Sequence, residues 1–283
     1  MSLGILTNVA ATYAQNNLNK TQGSLQTVLQ QLSSGSRINS GADDAAGLSV
    51  ADGLHANEAA LTQSAQNAQN GVGLLQTADG ALSQVTNLLT RAVTLATEAA
   101  NGGLTTAQAT AADTEFQSIV TEIGNIGSST NFNSTAVFSA TATNFVVSDG
   151  TSGGTTTIAA TTGALSNASV GTASGGGAGQ SLSADVLTSQ ASAKTALTDI
   201  TTAIADVANQ RGAIGANINQ LNAAATVASS EEVNLSSAES AIRSTNYGQA
   251  TSDLAKFQVL SQTGISALAQ ANSVQQEILK LLQ

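Results

Sequence analysis

The 283 residues hold 8 Lys or Arg against 18 Asp or Glu, a formal charge of −10 that repels nucleic-acid phosphates and anionic lipid headgroups. Cysteine is absent, which removes disulfides, thiolate metal sites and cysteine nucleophiles together, and proline is absent too, so no ring interrupts a long helix. With five Phe, two Tyr and no Trp, the apolar content is mostly aliphatic and alanine-rich, which suits slender helices packed along their length rather than a thick globular core.

The opening segment MSLGILTNVAATYAQNN has neither a basic region nor a long apolar run, so it does not read as a secretory leader. Leu18, Leu25, Val28 and Leu32 recur at intervals of seven, three and four residues, which predicts a helix ending near Ser33 to Gly35. A break follows, LSSGSRINSGADDAAGLSVA, carrying one arginine and two carboxylates. Beyond it Leu54, Leu61, Ala68, Leu75, Leu82, Leu89 and Ala96 fall every seven residues, and Ala78, Val85, Ala92 and Ala99 fill the alternate positions. That repeat predicts a coiled-coil helix stopped by Asn101, Gly102 and Gly103.

A third helix is expected from Ala112, Phe116, Ile119, Ile123 and Ile126, ending at Gly127. From Val137 to Leu182 the chain turns to Thr, Gly and Ser with few large apolar residues, a small β-rich or irregular insert without a substantial core of its own. Helical spacing resumes at Val186 and runs through Ala193, Leu197, Ile200, Ile204, Val207, Ile214, Ile218, Leu221, Ala225 and Ala228, broken only by Arg211. A last amphipathic stretch extends from about Asn246 through Leu254, Phe257, Ile265 and Leu268 to the C-terminal leucines. The expected fold is mainly α: a long antiparallel helical coiled-coil rod with paired terminal helices and the small central insert. Two terminal helices cover only one face of each other, which leaves apolar stripes for a partner.

Candidate chemistry is sparse. His55 is the single histidine, so a Ser-His-Asp triad has no other base and a paired-histidine zinc site cannot form; a solvated or packing role is expected. Asp43 with Asp44, and Glu231 with Glu232, could be paired carboxylates, but both pairs are read as acids at helix starts. The Asn39, Asp43, Asp44 spacing does not match a calcium loop, and GSRINSG lacks the order of a phosphate loop. No catalytic residue, cofactor or metal ligand is named. The terminal stretches carry too few Lys or Arg for a membrane surface, so partner helices are expected instead. Asn133, Asn167 and Asn234 match glycosylation sequons, and the Ser and Thr of the insert are candidates for O-linked decoration.

The segments LSSGSRINSGADDAAGLSVAD and NAQNGVGLLQTADGALSQVTNLL resemble the N-terminal region of bacterial flagellin, and NQRGAIGANINQLNAA, NLSSAESAIRSTNY and LSQTGISALAQANSVQQEILKLLQ resemble its closing region. The resemblance implies a non-enzymatic filament subunit, exported through the flagellar type III channel without a cleaved signal peptide. It implies partners in itself as a helical homopolymer, an export chaperone, a cap protein and hook-filament junction proteins, with an extracellular location in the flagellum. It further implies an inner core of residues 1–35 with 246–283, an outer helical domain of 36–136 with 183–245, and a surface insert at 137–182. Arg37, Asn39, Asp43 and Asp44 would then hold the junction between the first two helices and contacts between subunits. Leu18, Leu25, Leu32, Leu254, Phe257, Leu268 and Leu282 would pack the terminal helices. By the same resemblance Arg91, Leu95 and Glu122 are candidate contacts for a Toll-like receptor. The alternatives are a hook-filament junction protein with the same terminal helices, and a surface adhesin or immune ligand.

Overall fold

The computed structural model describes residues 8–148, 154–174 and 176–281. Along them run α1 (Val9–Ser34), α2 (Ala45–Ala100), α3 (Thr106–Ser129), β1 (Asn131–Phe132), β2 (Thr135–Ala136), β3 (Thr143–Ser148), β4 (Thr155–Ala160), β5 (Val170–Thr172), β6 (Ala178–Gln180), α4 (Gln190–Arg243) and α5 (Tyr247–Leu281). The chain is therefore mainly α with small antiparallel strand pairs, as its periodicities predict. It packs as two compact units, Met1–Ala56 with Asn234–Gln283, and Asn57–Val233. The insert lies wholly within the second, and residues 36–56 lie within the first.

In the first unit α1 and α5 pair antiparallel. The Asn8 side chain caps α1 by accepting the Ala11 N–H at 3.0 Å and donates to the Ala271 carbonyl at 2.9 Å. Leu18 lies against Gly264 further along, and Gly35 beside Tyr247 at the far end. The pair is thin: on α1 only Val28 is buried, and on the described part of α5 only Ala250.

The second unit has a dense seam. Leu61, Ala68, Leu75, Leu82, Leu89 and Ala96 are fully buried, with Ala78, Val85 and Ala92 between them, so the seven-residue repeat of α2 is a core stripe. Each buried leucine of this kind contributes about 1.5–3 kcal/mol. Phe116, Ile119, Val120 and Ile123 of α3 close one side of it. A capping box starts α3, with Thr105 and Gln108 bonding each other's backbone N–H.

On α4 the fully buried residues are Ala193, Ala196, Ile200, Ala203, Val207, Ile214 and Leu221. Three details differ from the sequence expectation. The seam uses the small Ala196 and Ala203 where Leu197 and Ile204 are expected, leaving those two half-buried at its edge, because closely packed helices need small side chains at the contact line. Val186 precedes the helix and is 38% exposed, while Leu187 takes the buried place. Glu231 and Glu232 are interior to α4, which passes through them to Arg243, so they are not helix-start acids. Arg211, the break in the stripe, forks onto Asp79 of α2 with hydrogen bonds of 2.7 and 3.2 Å.

The insert folds onto these helices. β3 and β4 pair from Thr143 opposite Ala160 to Ser148 opposite Thr155, and the Ser148 N–H donates to Ser64 of α2 at 2.7 Å. Val147, Ile158, Ala160, Leu165, Val170 and Leu182 join the helical core, which supplies the burial this segment cannot generate alone. β5 and β6 lie on α4, where a Cβ on Gly171 would stand 2.5 Å from the Asp206 and Val207 backbone, so the position requires glycine. Beside it the Gln180 N–H donates to Asp206 at 2.9 Å, and Gln210, at a seam position of α4, donates to the Thr162 carbonyl.

Candidate functional site

The break after α1 is the most elaborately bonded segment of the first unit. Gly35 closes α1 in the left-handed region, φ 71°, and its flank faces the Tyr247 hydroxyl. The next residues lie beside the α4–α5 connection in a short antiparallel bridge, Ser36 against Ser244. The Arg37 N–H donates to the Arg243 carbonyl at 2.6 Å and the Thr245 N–H to the Gly35 carbonyl at 3.0 Å. Ser36 Oγ donates to the Ile38 carbonyl at 2.7 Å and the Arg37 guanidinium to the Ile242 carbonyl at 3.0 Å. Ile38, 1% exposed, is the apolar plug of the turn.

The two aspartates divide the rest of the turn between them. Asp43 Oδ2 accepts the backbone N–H groups of Asn39 at 3.0 Å and Ser40 at 2.8 Å, and the Ser40 hydroxyl at 3.1 Å. Those bonds, the Asn39 amide foremost, hold its carboxyl below the ordinary carboxylate range. Asp44 Oδ1 accepts the Gly47 N–H at 2.8 Å and so starts α2, the helix-start role its sequence position suggests. Asn39 donates its amide to the Ser36 carbonyl at 2.9 Å. Arg37, Asn39, Asp43 and Asp44 are thus gathered in one turn.

Residues not anticipated complete it. Gln31 of α1 donates to the Arg37 carbonyl at 3.1 Å. On the α4 side Arg243 contacts Glu239 at 3.1 Å and Asp52 at 3.8 Å, and Glu239 lies 3.5 Å from His55. His55 is 68% exposed, in keeping with a solvated side chain. No periodic signal marks these partners, because the pairing joins segments some two hundred residues apart. A shallow open groove of ~290 Å³, lined mainly by serines with Glu239 and Arg243, runs beside the bridge.

Leu18, Leu25, Leu32, Leu254, Phe257 and Leu268 are each half-buried along the α1–α5 pair, and Leu282 lies outside the described residues. Around them Val9, Tyr13, Leu29, Val259, Leu260, Ile265 and Val274 are 43–69% exposed. In the second unit Arg91 forks onto Glu115 of α3 at 2.7 and 3.1 Å, holding that carboxylate below its usual range. Leu95 is 4% exposed, part of the core rather than of the surface, and Glu122 is exposed, accepting from Asn125 at 3.2 Å. Among the described residues no helix is long and apolar enough to cross a membrane.

Long helices stitched at one turn by main-chain bonds, with large apolar side chains exposed along α1 and α5, fit a structural helical protein. The family model for the bacterial flagellin N-terminal helical region matches residues 5–143, and that for the bacterial flagellin C-terminal helical region matches residues 197–282. The chain belongs to the bacterial flagellin family and is a structural subunit of the flagellar filament. It is 32% identical to the flagellar filament 30.7 kDa core protein of Treponema maltophilum over 97% of this chain and 98% of that one. Flagellin 1 of Proteus mirabilis is 39% identical over 53% of this chain and 41% of its own length. A crystal structure of Bacillus cereus flagellin aligns with a TM-score of 0.45 at 28% identity, covering 57% of this chain and 88% of that one.

Proposed function

We propose that the α1–α5 pair is the polymerisation surface of the subunit and that the chain acts through surfaces alone, without catalysis. The carrying observation is the set of exposed large apolar side chains on that pair, Val9, Tyr13, Leu29, Val259, Leu260, Ile265 and Val274, spread around helices on which only Val28 and Ala250 are buried among the described residues. Apolar side chains exposed in this way are stabilised when neighbouring copies remove them from water, at about 25 cal/mol per Å². Assembly and ordering of the terminal helices are then coupled. Residues 1–35 with 246–283 form the inner core in this reading, and 137–182 faces outward. Arg37, Asn39, Asp43 and Asp44 hold the turn that sets how α1 departs from α2, and so place the polymerising helices.

Export through the type III channel to an extracellular filament, with chaperone, cap and junction proteins as transient partners, accords with a thin chain that has no disulfide to break. Electron microscopy of the full chain after seeding, beside a version lacking residues 1–32 and 254–283, tests the proposal. Long filaments from the full chain only are expected. Filaments of equal length from the truncated chain would overturn the role given to the terminal helices.

A further inference from the structure

Two Asn–Gly pairs occur in the chain, Asn70–Gly71 and Asn101–Gly102. In such a pair the glycine amide nitrogen can attack the asparagine side-chain carbonyl, because glycine has no Cβ to block the approach. The backbone decides whether it does. Gly71 is interior to α2, so its N–H is committed to the helix ladder, and it is buried, with Leu221 and Phe145 standing where a Cβ would be. Asn101 and Gly102 are both exposed in the turn between α2 and α3, and Gly102 has φ 66°. Among the described residues neither the Gly102 N–H nor the Asn101 carboxamide makes a hydrogen bond.

We infer that Asn101 is a site of spontaneous, self-contained modification: cyclisation onto Gly102 followed by hydrolysis to aspartate and isoaspartate. The Gly102 nitrogen bonds to Asn101 Cγ, the Cγ–Nδ2 bond breaks, and Nδ2 leaves as ammonia carrying the proton that the glycine nitrogen gave up. Water then opens the five-membered imide at either carbonyl. Nothing is oxidised or reduced, and water is the only co-reactant.

The product matters to this turn in particular. Either outcome places a new carboxylate just past the C-terminal end of α2, where the helix already presents its negative pole and Glu98 lies one turn back. The isoaspartyl product also adds a backbone carbon to a turn that begins two residues after the buried Ala99. The flank of Gly102 faces Gln190, the first residue of α4, so the altered turn bears on the start of that helix as well.

The test uses the full-length chain held at mildly alkaline pH and sampled over time. Cleavage after glutamate releases residues 99–115 and 59–98, which separates the two Asn–Gly pairs for mass spectrometry and isoaspartate assay. Asn101 is expected to convert at least about tenfold faster than Asn70, since Asn70 reacts only through local opening of α2. In urea the two rates should converge, and Asn101→Gln should silence the 99–115 peptide while the variant still folds. Gly102→Ala is a poorer control because of its φ. Equal or slower conversion at Asn101 in the native chain would overturn the inference, as would an unchanged 99–115 peptide over a time in which the urea-unfolded chain converts.

Discussion

Asp44 accepts the Gly47 N–H at 2.8 Å just inside α2, while its neighbour Asp43 turns back to hold Asn39 and Ser40. Adjacent and chemically identical, the two carboxylates serve opposite sides of one turn. Asp44→Ala should lower the stability of the first unit by about 1 kcal/mol, and Asp44→Asn, which can still accept from Gly47, by much less. Thermal denaturation of the two variants checks this; equal losses would remove the capping role.

Asp43 carries the opposite pH signature to the one described next. Its folded pKa is depressed, so its stabilisation is present above the ordinary carboxylate value and is lost as pH falls through the folded one. Asp43→Asn should flatten the acid limb of the unfolding curve and leave the neutral limb displaced by a constant amount. Denaturant titrations at a series of acid pH values provide the measurement.

Asp185 lies in the strap that returns from the insert to α4, with its carbonyl accepting from Gln117 at 2.7 Å and its Oδ2 buried without a hydrogen-bond partner. Burial, helped by the charge of Asp199, pushes its carboxyl from 3.8 up to about 6. The folded chain then binds this proton more tightly than the unfolded chain. The contribution is full below 3.8, declines as pH rises towards about 6 and is gone above it. Asp185→Asn, with an amide that can donate to Asp199, should gain stability over the parent at neutral pH and lose the advantage in acid. A variant less stable than the parent at neutral pH would contradict the argument.

Arg211 and Asp79 form a partly exposed pair, so their coupling should be modest. Each alanine variant should cost about 1 kcal/mol or less, and a double-mutant cycle should return a coupling of roughly 0.5 kcal/mol. By contrast Phe116→Ala removes a fully buried ring from the seam and should cost about 3–5 kcal/mol. Urea denaturation of the five proteins resolves the ranking.

The sequence makes the α2 seam legible almost completely, because a helix buried along one line repeats its apolar residues at a fixed interval. It makes α4 legible less well: Ala196 and Ala203 are overlooked beside Leu197 and Ile204, since size, not only apolarity, decides which residue fits a close contact. Asp44 is legible as a helix-start acid. The partners of the turn are not: Arg243 and Thr245 meet it through main-chain groups that any residue type carries, and the Gln31 side chain donates to a main-chain carbonyl that no residue type marks. The insert is read as lacking its own core, and Val147, Ile158 and Leu165 have no period that would reveal the helices on which they are buried. Gln210 is likewise hidden, a polar residue at a seam position whose partner is the Thr162 carbonyl.

The bridge between Ser36 and Ser244 gives the two connections of the first unit a shared mechanical fate. A pull on either is resisted by main-chain bonds running in opposite directions, Arg37 to Arg243 and Thr245 to Gly35, loaded side by side rather than one after the other. Bonds loaded in that way must fail together, so the pair resists a sideways force better than either would alone. Because amides and carbonyls make them, these two bonds do not depend on which side chains stand at positions 37, 243 and 245, while the Ser36 hydroxyl adds a third hold of 3.2 Å on the Arg243 carbonyl.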